Sequence, residues 1–429
     1  MKKTLIAFAA LSAIAGMAQA QSTVTLYGLL DANVGSAKTN VFTPFVPAPA
    51  NAAALAANPR LANGSYSSQR QTIVGSGGLN GSRFGFRITE DLGGGLAAIG
   101  NLEGGLSIDT GASGQGGLLF GRQANVGVAS ASLGTVTIGR NKSPYYDVHA
   151  SVGLRESAFD ATSNTNFGTL ANYNPADIAA VAAAPGVAAV TAAPGAAAAA
   201  YLLSNHASAA APNAATWLGF NARVDNSIRY TSPNFSGFSV SGLYGFGENK
   251  TPAVDATKTV GASVQYANGP IGVYLAYQSD AYARTAGLKP ALENILVGAS
   301  YDFGVAKVGA NYNRAKLKDV VASGFLNGTG VPGGSIDAQK EYGLSVSVPF
   351  GATVVEANYG QSKGDTLGKA SAYGVQALYS LSKRTTLYTG YSSTKTYDRL
   401  AQLAVNSQAG SGSNIGRNSF FAAGVRHTF

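Results

Sequence analysis

The sequence predicts an all-β fold, a sixteen-stranded antiparallel transmembrane β-barrel, on three observations. Segments of about ten residues alternate apolar and polar with a period of two, as strands with one lipid face and one wet face must. Tight turns alternate with long polar connections along the chain. Tyrosines recur near strand ends, at Tyr230, Tyr266, Tyr277, Tyr301, Tyr342 and Tyr391, as an aromatic girdle at a membrane boundary requires.

The elements follow in order. The chain opens "MKKTLIAFAALSAIAGMAQAQS". Lys2 and Lys3 precede a short apolar run, and Ala18-Gln19-Ala20 is a small-x-small cleavage site. Residues 1–20 therefore read as a cleaved secretory signal peptide, and residues 21–429 as the barrel. The run Leu5–Ala15 is about half the ~20 residues that a spanning helix needs. No later segment supplies one, because 179–203 is mostly alanine and is broken at Pro185-Gly186 and Pro194-Gly195.

In "TVTLYGLLDANVG", Val24, Leu26, Leu30 and Val34 share one side, with Thr25, Tyr27, Asp31 and Asn33 opposite. "SRFGFRITEDLGGG" sets Phe84, Phe86 and Ile88 against Arg83, Gly85 and Arg87. The same alternation runs through "FSVSGLYGF", "TVGASVQYANG", "IGVYLAYQ", "ENILVGASYDFG" and "EYGLSVSVPFG". Sixteen strands are expected. The first eight start near Thr23, Ser82, Leu96, Leu119, Gly134, Asn226, Gly237 and Thr259; the rest start near Ile271, Glu293, Ala306, Glu341, Ala352, Ala370, Thr385 and Asn418. Seven tight turns join them, among them "EDLGGG", "ANGP" and "PFGA", and eight long loops, such as 35–78, 249–257 and 318–339. An even strand count with short turns on one side and long loops on the other fits an outer-membrane barrel. A soluble sandwich also uses short strands, but not sixteen of bilayer-crossing length. The last strand, "NSFFAAGVRHTF", puts Phe421, Ala423, Val425 and Phe429 on one side. Phe429 is expected to close the barrel, since an open apolar edge would invite aggregation.

Composition removes several functions. There is no cysteine, so export requires no disulfide. Thirty Lys and Arg face twenty-one acidic residues, and without Lys2 and Lys3 the excess falls from nine to seven. No Lys/Arg run exists to make a nucleic-acid patch, so the charge is scattered and expected in the lumen. His149, His206 and His427 lack metal-ligand spacing, no Gly-x-Ser-x-Gly elbow occurs, and "DLGGG" lacks the Lys-Ser/Thr of a phosphate loop. No metal, cofactor or catalytic residue is expected, and the chain is not read as an enzyme.

The segments "TVTLYGLLDANVG", "SRFGFRITEDLGGGLAAIGNLEGG", "LLFGRQANVGVAS", "LGTVTIGR", "RYTSPNFSGFSVSGLYGF", "YDFGVAKVGANY" and "GVRHTF" resemble the trimeric Gram-negative porins of beta-proteobacteria. The resemblance covers most of residues 21–429, the loops least. It implies an outer-membrane homotrimer of sixteen-stranded barrels, each with a water-filled channel narrowed by an inward-folded third loop. It also implies wall arginines facing acidic or carbonyl groups of that loop. Carried over by motif, these are Arg83 in "SRFGFR", Arg122 in "FGRQ" and Arg223 shortly before "SIRYTSPNF". Arg87, Glu103, Arg140 and Arg229 are further lumen candidates, and Asp147, Glu156 and Asp160 are the acidic candidates of the loop.

Strand parity agrees for Arg83, Arg87, Arg223 and Arg229. Arg122 instead shares parity with Val126 and Val128, and Arg140 with Val136 and Ile138. Either a bulge shifts the phase, or this side of the barrel meets a neighbouring subunit. Arg83 and Arg87 are four residues apart, roughly 13 Å along a strand, so Arg83 is expected in the constriction and Arg87 below it. The third loop, residues 141–222, departs from the family by an alanine-rich insertion at about 176–215, either a helical flap or an extracellular excursion. The function implied is general diffusion of small hydrophilic solutes and ions across the outer membrane, with moderate anion selectivity. The alternatives are a channel specific for organic anions or sugars and, more remotely, a barrel enzyme or adhesin. A sugar channel would want an aromatic ladder, for which only Tyr27 and Tyr274 have inward parity.

Overall fold

The computed structural model describes residues 22–43, 65–152, 157–162, 217–252, 255–281, 291–320, 334–365, 368–398, 412–413 and 416–429. The expected signal peptide, the alanine-rich insertion and Glu156 lie outside the described residues.

Sixteen antiparallel staves close on themselves. They are β1 (Thr23–Thr43), β2 in two pieces (Ser65–Ser76 and Arg83–Gly93), β3 (Leu96–Ser107), β4 (Gln123–Ser130), β5 (Gly134–Lys142) and β6 (Arg223–Thr231). Next come β7 (Phe238–Phe246), β8 (Lys258–Asn268), β9 (Ile271–Ala281), β10 (Ala291–Asp302) and β11 (Lys307–Val320). The remainder are β12 (Gly334–Phe350), β13 (Thr353–Gly364), β14 (Gly368–Ser380), β15 (Thr385–Lys395) and β16 (Arg417–Thr428). Closure joins β16 to β1 from Leu29↔Thr428 to Lys38↔Ser419.

Several boundaries differ from the sequence reading. The second strand reaches back to Ser65, so much of the expected 35–78 loop is ladder, Ala32↔Ser76 to Thr43↔Ser65. The fourth starts at Gln123, not Leu119. Likewise β11 and β12 take up parts of the expected 318–339 loop. One of the eight connections expected to be long is a tight link from Gly364 to Gly368, where the pairing continues to the end of both strands. Gly368 has φ +78, which a side chain resists.

Alternation sorts side chains as the pattern requires. On β9, Val273, Leu275 and Tyr277 are 46%, 47% and 39% exposed, while Tyr274, Ala276 and Gln278 between them are buried. In a membrane barrel the exposed apolar set is the outer face. The last residue docks on the first strand: Gly28 and Phe429 exchange backbone hydrogen bonds of 3.0 and 3.1 Å. The Phe429 ring occupies the space that a Gly28 Cβ would fill.

Helix α1 (Pro144–Val152) follows β5. Proline suits a first helical position, and Ser143 Oγ accepts the Tyr146 N–H at 3.2 Å, capping the first turn. Its Tyr145, Tyr146 and Val148 pack with Trp217 and Phe220 against Tyr274, Ala276 and Leu296, the inner side of β9 and β10. Residues 157–162 lie on the inner side of β13–β16. There Phe159 stacks on Phe420, ring centroids 5.8 Å apart, and Gly360, Gly374 and Gly390 on three successive strands leave room for Phe159 to Ala161.

Replacing Gly28 by valine forces the Phe429 ring off β1. The expected cost is about 1–3 kcal/mol, read as a lower temperature for the heat-induced mobility shift of the folded barrel; an unshifted transition would remove Phe429 from the closure.

Candidate functional site

The inner faces of β1 to β4 bring one row together: Tyr27 opposite Gly85, Gly85 opposite Glu103, and Glu103 opposite Gln123. Glu103 is 4% exposed. A buried carboxylate needs partners, and it has three. Arg122 Nε donates to Oε1 at 2.6 Å, the Tyr27 hydroxyl lies 2.9 Å from Oε2, and Arg83 Nε stands 3.7 Å from Oε2.

Arg122 meets Glu103 although its parity points outward, because it lies just before β4 begins at Gln123. A bend carries no pleat, so alternation does not fix its side. Its own N–H donates to the Glu103 carbonyl at 3.0 Å, which anchors it there. Arg87 sits two pairs further down, opposite Asn101, with its guanidinium 4.2 Å from the Tyr27 ring centroid.

Two further cations join this group. Lys142 Nζ is 5.8 Å and Arg223 Cζ is 5.4 Å from the centroid of the Tyr146 ring on α1. Lys142 interacts electrostatically with Glu103, Asp147, Arg122 and Arg223. Arg83 does so with Arg122, Glu103 and Tyr146. Three cations, Arg83, Arg122 and Lys142, thus act on Glu103, with Arg223 beside Lys142 and Tyr146 facing them. Burial pushes the pKa of the neighbouring Tyr145 hydroxyl upward, so it stays neutral.

The other expected residues fall elsewhere. Arg229 pairs with Asp147 at 2.6 Å and donates to the Lys142 carbonyl at 3.1 Å. Arg140 lies opposite Ala124, in phase with the exposed Val126 and Val128, and reaches Asp225 and the Gly121 carbonyl instead of Glu103. A register shift does occur beside it, between Gly139 (φ +127) and Asn141. Asp160 is 4% exposed and accepts from Thr162 N–H and from Asn358 Nδ2 at 3.0 Å, fastening 157–162 to the wall. Lys142 was not singled out from sequence, because it lies beyond that register shift. Arg426 was missed too, although its parity opposite Val425 marks it as inward; it donates to Asn80 Oδ1 at 2.9 Å.

The break in β2 is part of the site. Six residues, Gly77 to Ser82, face only Leu30 and Asp31 of β1. The excess folds inward onto Asp31, which is 0% exposed. Its carboxylate accepts the N–H groups of Gly78 (3.0 Å), Leu79 (2.9 Å) and Asn80 (2.9 Å), and the Tyr388 hydroxyl. The held segment serves both arginines. Arg83 Nη1 donates to the Gly81 carbonyl at 3.1 Å, and a Cβ on Gly81 would lie 3.4 Å from Arg122 Nη1. Gly78 also accepts the Ala158 N–H at 2.8 Å, which ties the 157–162 segment to the same wall.

Residues 7–399 match the Gram-negative porin family. Outer membrane porin protein 32 of Delftia acidovorans is 28% identical over the full length of both chains. An outer membrane porin protein of Bordetella pertussis is 28% identical over 90% of this chain and 93% of its own. Among solved structures, an anion-selective porin from Comamonas acidovorans superposes with a TM-score of 0.65 at 26% identity, covering 95% of this chain and all of that one.

Asp31→Ala orphans the buried N–H groups of Gly78 and Leu79, at about 1–3 kcal/mol each, and the half-buried one of Asn80. The variant is expected to melt at a lower temperature and to carry a noisier single-channel current than Asp31→Asn, which keeps one acceptor oxygen. Equal noise in both would sever the 77–82 segment from the channel.

Proposed function

Because the chain belongs to the Gram-negative porin family, an outer-membrane channel family and not one of enzymes, we propose that it is a general-diffusion channel that prefers anions. The observation that carries this is the surplus of charge at Glu103: Arg83, Arg122 and Lys142 act on that carboxylate, and Arg223 stands beside Lys142. Guanidinium groups stay charged at any physiological pH. In a narrow channel with low-dielectric walls their field is focused, and at ~0.15 M salt it is screened only over about 8 Å. Anions are concentrated at this level and cations repelled. The anion selectivity in the name of the Comamonas acidovorans structure belongs to that protein; the cation cluster is the reason for extending it to this chain.

The third connection acts as an inward-folded constriction. Support comes from α1 against the inner side of β9 and β10, and from Phe159 in the glycine trough of β13–β15. The channel works as a homotrimer in outer-membrane lipid, exported by residues 1–20, and passes small hydrophilic solutes and inorganic ions. A sugar-specific ladder finds no support, since Tyr274 is 8% exposed beneath α1 and Tyr27 is engaged by Glu103 and Arg87.

Reversal potentials in a planar bilayer under a potassium chloride gradient test the reading. Wild type is expected to show anion preference, Arg83→Ala with Arg122→Ala to lose about half of it or more, and Glu103→Gln to increase it. Cation preference in the wild type would refute the proposal.

A further inference from the structure

On the inner face of β2, Arg83, Gly85 and Arg87 follow one another. Gly85 brings no side chain to the space between the two cations, and Tyr27 fills it instead. Tyr27 stands on β1 opposite Gly85. Its hydroxyl nevertheless reaches Glu103 (2.9 Å) and Asn101 (3.0 Å) on β3, the strand beyond. The ring therefore lies across β2, over Gly85. A Cβ at Gly85 would stand 2.9 Å from the Cζ and hydroxyl of Tyr27, and 2.6 Å from the Leu102 carbonyl. Close-packed atoms do not share such space, so glycine at this position leaves room for the crossing.

The crossing treats the two arginines differently. Arg83 is drawn to Glu103 at 3.7 Å and to the Gly81 carbonyl at 3.1 Å. Arg87 has no carboxylate opposite it, since its neighbours across the ladder, Thr25 and Asn101, are neutral. The next acid on that face of β2, Asp91, is four residues further on and accepts the Gly93 N–H at 2.8 Å in the turn. What holds Arg87 is the Tyr27 ring, over which its Cζ lies 4.2 Å from the centroid. The negative face of an aromatic ring attracts a cation placed there. The ring covers one side of the guanidinium only, and Arg87 is exposed. The N–H groups left uncovered are the ones that bind anions.

The two arginines are also separate charges. They stand roughly 13 Å apart along the strand, further than the screening length of about 8 Å at ~0.15 M salt. An anion that leaves the Glu103 cluster toward the tight-turn end of β2 meets Arg87 next. Conduction needs a site that an ion can leave, and a neighbouring site eases the departure.

We propose that Tyr27 is a positioning residue of the channel: laid over Gly85, it holds Arg87 as a second anion station below the Glu103 cluster, so that anions pass in two steps. The inference rests on the anion-channel reading and adds a residue to it. The hydroxyl of Tyr27 engages one oxygen of Glu103, while its ring fixes the level of Arg87. An arginine without such a contact samples many rotamers, and its charge is spread along the wall.

The test is the effect of Arg87→Gln on the single-channel conductance of the full barrel in three backgrounds: wild type, Tyr27→Phe and Tyr27→Leu. Phenylalanine keeps the ring and loses the hydroxyl; leucine loses both. At ~0.1 M potassium chloride, Arg87→Gln is expected to lower the conductance about twofold in wild type and in Tyr27→Phe. Tyr27→Leu alone is expected to show the lowered conductance, and adding Arg87→Gln to it to change little further. Should Tyr27→Leu not fold, Tyr27→Met, closer in volume and also without a ring face, takes its place. A tyrosine that merely fills space would leave Arg87→Gln with the same fold-change in all three backgrounds, and that result would overturn the inference. So would an unchanged conductance in Arg87→Gln itself. Reversal potentials recorded in the same membranes separate this failure from that of the channel reading. If wild type stays anion-selective while the coupling is absent, Tyr27 alone loses its role; if wild type prefers cations, the reading beneath it falls.

Discussion

A closed antiparallel wall gives each residue one of two sides, and with no free edge there is no third. This constraint decides where every charge of the barrel can go. Residues in phase with Val273 and Leu275 meet lipid, and those in phase with Gln278 meet the interior. The closing contact between Gly28 and Phe429 enforces the rule on the whole ring, since a strand that slipped by one residue would exchange its faces. Polarity inside and apolarity outside are therefore one property read from two directions.

The functional site is built where the rule is interrupted. Arg122 comes from a bend, Lys142 lies past the register shift at Gly139, and the Gly77–Ser82 segment leaves the ladder altogether. Each interruption exposes backbone groups that need partners. At Gly77–Ser82, and in the connection between β5 and β6, buried carboxylates supply them. Asp31 holds Gly78, Leu79 and Asn80; Asp160 holds Thr162; Asp280 accepts Asn221 N–H at 3.1 Å; Glu341 accepts Leu218 N–H at 2.7 Å. These four acids fasten chain that lies off the ladder to the barrel wall, and all are 4% exposed or less. These four acids are thus engaged in architecture, while Arg83, Arg122 and Lys142 gather at Glu103.

Period-two alternation made the barrel legible from sequence, including the opposition of Arg83 and Arg87 to Phe84, Phe86 and Ile88. It could not show the split in β2, because six residues facing two leave no periodic signature. The anchors were equally hidden: Asp31 and Tyr388 are 357 positions apart and meet only through closure. The charge excess was legible as a number but not as a place. Expected in the lumen, part of it stands at Glu103, but Arg314, Lys340, Lys363 and Lys369 fall opposite one another on the exposed face of β11–β14, which only the cross-strand register reveals. Asp147 illustrates the same limit, since its acidity was evident but its partner, Arg229, was not.

The central claim is that the narrow part of the water path is lined by cations gathered at Glu103, a carboxylate that Arg122 and Tyr27 already engage. Crystals soaked separately in bromide and in rubidium, with anomalous scattering recorded for each, test it most directly. The account predicts bromide peaks beside Arg83, Arg122, Lys142 and Arg223, and none for rubidium at Glu103. Rubidium bound at Glu103 with no bromide near the arginines would contradict it.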